Sequence, residues 1–174
     1  MLASHLLINV DFFTETHRIS GRTTVSANGM LGLLNDNTTS LVEVENAYLS
    51  RLQNPAKIEA HFDRVWLNKT NFTLVILNRR EDLGPVGLTR GGYSQVLAIP
   101  VLMTTAAFEI RCTLEVVHKL DASALLTGGT AKYMTAYKAS LTVLAYPETP
   151  FNGEAIAINR GLIEALAPLP KGKS

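Results

Sequence analysis

Two pairs of polar residues stand at matching places in this chain, Asn68-Lys69 and Asn159-Arg160. An amide beside a cation can hold a phosphate or a base edge, so the two pairs would make two nucleic-acid sites, with Asp36 as a further contact. Turn chemistry accounts for the same residues more simply. Asn tolerates left-handed backbone, and a cation after it can point to water.

Other candidates are weaker. Tyr133 and Tyr137 alternate with Lys132 and Lys138, with Tyr146 further along. Stacking aromatics beside cations would suit single-stranded RNA. On a strand, however, the two residue types point to opposite faces, which predicts a lysine-bearing edge strand over a tyrosine-lined core. Glu43 and Glu45 share a strand face, as do His61 and Asp63. General acid–base work needs one carboxyl with a raised pKa in a pocket, and neither pair comes with a nucleophile or a third ligand. Cys112 is the sole cysteine and reads as a small buried strand residue. No phosphate-binding glycine loop, dinucleotide fingerprint or zinc motif is present, so no cofactor, metal or catalytic residue is expected. Trp66 faces away from Val65 and Leu67, which leaves it either in a second apolar layer or at an interface.

The elements that must position these residues come in two similar sets. With residue n beside residue n+91, Leu6, Ile8, Val10, Thr14, Ile19, Val25, Leu34 and Thr39 meet identical residues, and Cys112 meets Gly21. A shift to n+92 aligns Ala47, Leu49, Leu52 and Pro55 with Ala139, Leu141, Leu144 and Pro147. The offset then returns to 91 and brings Asn68 onto Asn159. This predicts a tandem duplication with pseudo-twofold architecture. The expected units are 1–83 and 96–170, joined by a Gly-rich connector at 84–95 and followed by a loose tail at 171–174.

Alternating apolar residues predict strands at Leu6–Phe13, Ile19–Val25, Leu41–Leu52, Ile58–Leu67 and Phe72–Leu77. The second set is Val96–Met103, Phe108–Val117, Ala131–Tyr146, Ala155–Ile158 and Leu162–Ala167, with residues 147–153 replacing much of one strand. Asp121 and Gly128-Gly129 bracket a short helix, and Met30–Leu34 is either a helical turn or a strand start.

Composition fits a globular chain: 47% of residues are hydrophobic, 18% are charged and the formal charge is +1. That balance supplies no net field toward nucleic acid or anionic lipid. The longest mainly apolar run, Val96–Phe108, is too short to span a bilayer as a helix. The first residues carry no basic secretion signal, so the expected location is the cytoplasm.

The pieces Val65-Trp-Leu-Asn-Lys-Thr-Asn-Phe-Thr-Leu-Val and Ile156-Ala-Ile-Asn-Arg-Gly-Leu-Ile-Glu-Ala-Leu resemble the second motif of Sm-like proteins. Gly29 to Asp36, followed by Leu41 to Ala47, resembles the first. The chain also resembles an uncharacterised bacterial family of duplicated β-domains through Arg18–Gly21, Gly29–Asp36, Asn46-Ala47 and Phe62–Lys69. The Sm resemblance implies small β-barrels that join through strand edges and bind RNA in their turns. The chain departs from that pattern: Asp36 becomes Thr127 in the second unit, and Lys69-Thr70 stands where Arg-Gly is usual.

The expectation is therefore a mainly β chain of two Sm-like barrels, each with a short helix. Its function would be that of a non-catalytic scaffolding or binding module that self-associates through strand edges, with Trp66 at the contact and another protein as a possible partner. The alternative is an RNA binder using Asp36, Asn68, Lys69, Asn159 and Arg160.

Overall fold

The computed structural model describes residues 4–85 and 95–170. Most of the expected connector (86–94) and the tail 171–174 lie outside the described residues. The alternating segments form β1 (Leu6–Phe13), β2 (His17–Val25), β3 (Leu41–Arg51), β4 (Ala60–Asn68), β5 (Leu74–Leu77), β6 (Val96–Thr104), β7 (Phe108–Val117), β8 (Tyr133–Val143), β9 (Tyr146–Asn159) and β10 (Ala165–Pro168). Among the described residues two α-helices interrupt them, α1 (Gly29–Asn35) and α2 (Ala122–Thr127). The start of α2 is set by Asp121, whose side chain accepts the Ala124 N–H at 3.0 Å. The helix ends where Gly128 N–H reaches back to the Ala124 carbonyl at 2.9 Å.

All ten strands join one antiparallel sheet in the order β10-β6-β7-β8-β9-β5-β1-β2-β3-β4. This corrects the expectation of barrels: the sheet is open, ending in β4 on one side and β10 on the other. It also corrects two local expectations. The strand carrying Tyr133 and Tyr137 lies between β7 and β9 rather than at an edge. Residues 147–153 extend β9 instead of replacing a strand. Pro147 and Pro150 are tolerated there because they sit by the register irregularity between Leu141 and Val143, where ladder bonding lapses.

The order β5-β1-β2-β3-β4 recurs as β10-β6-β7-β8-β9. Registers recur with it. Leu6↔Val25 matches Leu97↔Val116, and Phe13↔Leu74 matches Thr104↔Ala165, each shifted by 91. The irregularity at Ser20/Arg22 returns at Arg111/Thr113, and the left-handed residues beside it, Asn46 and Lys138, have φ of 50° and 49°. The two runs meet where β9 pairs with β5, which are unlike edges. A twofold would bring like edges together, so the expected pseudo-twofold relation does not describe this junction.

Two cores form on opposite faces of the shared strands. Val75, Leu77, Ala155 and Ala157 pack with Phe12, Phe72, Tyr133 and Tyr137 on one face. Their alternates Leu74, Ile76, Ile156 and Ile158 pack with Met103, Phe108, Ile110 and Leu141 on the other. Period-2 alternation makes this possible, because strands buried on both sides feed both cores. Phe13 crosses between the runs, meeting Phe108 and Phe151 edge-on at centroid distances of 5.7 and 5.4 Å. Losing such a ring costs about 3–5 kcal/mol.

Matched positions exchange bulk. A Cβ on Gly21 would lie 2.5 Å from Val44 Cγ1, so β2 needs glycine there. In the second run the matching pair is Cys112 and Ala136, both buried, with the bulk moved to the other strand.

Candidate functional site

Both turn cations reach inward. Lys69 is only 5% exposed, and its Nζ donates to the Asp36 carbonyl at 3.1 Å and to Thr39 Oγ1 at 2.6 Å. Burial holds its ammonium below the ordinary lysine pKa, with the nearby Asp36 charge opposing that shift. Asp36 accepts from the Thr38 hydroxyl at 2.7 Å and the Thr38 N–H at 2.8 Å, bonds that keep its carboxyl below the usual range. Arg160 donates from Nη1 to the Leu125 and Gly128 carbonyls, at 3.0 and 2.5 Å, and from Nη2 to the Ala131 carbonyl. Each cation ties the loop after a helix to the turn after a strand.

The amides behave alike. Asn68 Oδ1 accepts the Thr70 N–H at 3.0 Å and Asn159 Oδ1 accepts the Gly161 N–H at 3.1 Å. Asn159 also donates to the Phe72 carbonyl at 3.4 Å, and the buried Tyr133 hydroxyl donates to the Lys69 carbonyl at 2.5 Å. Asn159 thus ties its turn to the end of the other, and Tyr133 ties β8 to the Lys69 turn. All four recurring side chains, and Asp36, already have protein partners, which weighs against their free use on RNA.

The other candidates form no reactive group. Glu43 takes Arg64 Nε at 3.0 Å and Trp66 Nε1 at 3.1 Å. His61 stacks on Tyr48 and meets Asn46 Oδ1 at 2.6 Å. The Cys112 thiol is pushed up to about 12 by desolvation, far from nucleophilic. Among the described residues no three His, Cys, Asp or Glu side chains gather as metal ligands, and no helix is long and apolar enough to cross a membrane.

What the fold presents instead is an open strand edge. The Lys69 N–H bonds the Ser40 carbonyl at 3.0 Å, in line with the pairing Leu41↔Asn68. Antiparallel bonding alternates, so the backbone groups of Asn68, Trp66 and Arg64 point away from β3. No described strand pairs with that side. Trp66 and Phe62, 57% and 45% exposed, stand on this edge, which places Trp66 outside the internal core. Beside β4 lies a groove of about 620 Å³, lined by Ile19, Leu49, Phe62, Val65 and Leu67 with Thr14 to His17 at its rim.

The sequence singled out Trp66 but not the groove. For the other sheet edge, β10, the sequence did carry a signal, the contrast between Leu74-Val-Ile-Leu, apolar on both faces, and Ala165-Leu-Ala-Pro at the matching place. The first is a strand buried on both sides; the second is an edge. No protein-family model, curated protein or solved structure matches the chain.

Proposed function

We propose that this chain is a non-catalytic, self-associating module whose contacts are made by strand edges, and that it arose by tandem duplication of a small Sm-like β-unit. The repeated strand order and registers support the duplication. The observation that carries the functional reading is β4: nine residues long, unpaired on its outer side among the described residues, apolar at Phe62 and Trp66, and bordered by an apolar groove. An edge of this kind is a template for another strand, with backbone bonds supplying affinity and side-chain pockets supplying specificity. Arg64 and Asp63 on the same strand provide the charge that discourages indiscriminate pairing.

Sedimentation at high protein concentration tests the reading. The expected mass is a multiple of the 18.9 kDa chain, nearly unchanged between low and moderate salt, since strand bonds and apolar burial respond weakly to ions. A monomer at all concentrations overturns it. Copurifying RNA whose affinity falls steeply with salt, and which is lost in Lys69→Ala with Arg160→Ala, would favour the RNA reading instead.

A further inference from the structure

We infer that β10 of a second copy of this chain adds to β4 in the register that β5 keeps with β9, so that copies join head to tail. The inference rests on the proposed self-association and specifies its partner edge, register and symmetry.

The template is inside the molecule. β5 meets β9 as Leu74↔Ile158, Val75↔Ala157, Ile76↔Ile156 and Leu77↔Ala155. β10 holds the place of β5 in the second run, and β4 holds the place of β9 in the first. Moving the junction by 91 residues sets Ala165 of the second copy opposite Leu67, Leu166 opposite Trp66, Ala167 opposite Val65 and Pro168 opposite Arg64. The backbone groups suit this. The Asn159 N–H bonds the Thr73 carbonyl at 2.9 Å, so at the open edge the Asn68 N–H would meet the Glu164 carbonyl of the second copy. Trp66 and Leu166 would exchange two bonds. The Arg64 N–H would meet the carbonyl of Pro168, but proline has no N–H to return to the Arg64 carbonyl, so the ladder would end at that pair.

Side-chain bulk makes the register specific. Within the chain Ile76 presses on Gly153, where any Cβ would overlap Ile76 Cγ2. At the open edge the place of Ile76 is taken by Ala167 and that of Gly153 by Phe62, following Ala47↔Phe62 and Ala139↔Gly153. The large residue has moved to the opposite strand. On the other face, Val75 against Ala157 becomes Leu166 against Trp66, which would cover the exposed indole. A slip of one residue would turn Leu166 into the groove side and leave Trp66 facing alanine. Because β4 and β10 are unlike edges, the contact is heterologous: copies close into a ring or run on as a filament, with no isologous dimer.

Two sets of variants test the inference. Ala167→Ile should clash with Phe62 and weaken association about tenfold or more, and adding Phe62→Gly should restore it by recreating the Ile76–Gly153 pair. Independently, Leu67→Cys with Ala165→Cys should cross-link between copies under mild oxidation, because they form a close non-hydrogen-bonded pair; Trp66→Cys with Ala165→Cys, on opposite faces, should not. An oligomeric parent in which Ala167→Ile has no effect, or in which the matched cysteines do not cross-link more than the mismatched ones, overturns the register while leaving edge association standing. A monomeric parent overturns both.

Discussion

Ile76 of β5 reaches over Gly153 of β9, and the space for its Cγ2 exists only because residue 153 has no side chain. The Leu77 carbonyl, 3.1 Å from where a Cβ would sit, closes the other escape. The contact lies just beyond the ladder, Leu74↔Ile158 to Leu77↔Ala155, that joins the two five-strand runs into one sheet.

Gly153→Ala should therefore destabilise the chain by about 1–3 kcal/mol through overpacking. Ile76→Ala costs about 2–5 kcal/mol by opening a cavity. The double variant should cost less than the sum, because each change relieves the other. Denaturant unfolding of the four proteins measures the coupling, and strict additivity would show that the two residues do not share this space.

Trp66→Ser should leave stability almost unchanged, within about 0.5 kcal/mol, because the indole is largely solvent-exposed and its one hydrogen bond goes to a surface carboxylate. The same variant should weaken self-association by about 2 kcal/mol, the value of a buried aromatic anchor. Sedimentation and unfolding on one sample separate the two effects.

Arg160→Ala should cost about 1–3 kcal/mol by leaving three carbonyls, Leu125 in α2 and Gly128 and Ala131 after it, without their donor. Arg160→Lys should recover only part, since an ammonium lacks the fork that reaches the Ala131 and Gly128 carbonyls together. Amide exchange should quicken locally across the end of α2 and the loop after it, at residues 125–131. A variant as stable as the parent, with unchanged exchange there, would show the guanidinium to be an idle surface charge.

Asp82 is buried, one of its oxygens has no hydrogen-bond partner among the described residues, and desolvation raises its pKa, with Arg79 partly offsetting the rise. Its charged form is thus penalised in the folded state above the raised pKa. Folding stability should improve as pH falls through that value toward the ordinary carboxylate range, where the unfolded chain also protonates. Asp82→Asn should be more stable than the parent at neutral pH, and the gap should close as the parent's carboxyl protonates. A gap that stays constant on acidification would show that charge burial is not its cause.

Much of the architecture was legible beforehand because it follows from short-range patterning. Alternation located most strands, Asp121 and Gly128 bracketed α2, and the 91-residue offset anticipated which strands share order and register. The Asn-cation turns were found as well, yet the sequence could not say what their side chains touch. Lys69 and Asp36 are far apart in the chain, and only the folded loop brings the ammonium to that carbonyl.

From the amino-acid order alone came a mainly β chain, two similar sets of strands, and the residues Trp66, Lys69 and Arg160 as places to look. Tertiary structure decided that the sets fuse through unlike edges into one open sheet, that Trp66 lies on the side of β4 that no described strand pairs with, and that Phe62, Val65 and Leu67 border a groove. The reason is physical. Periodicity tells which face of a strand is apolar, but an edge is defined by the neighbour a strand lacks, and that depends on how every other strand has already paired.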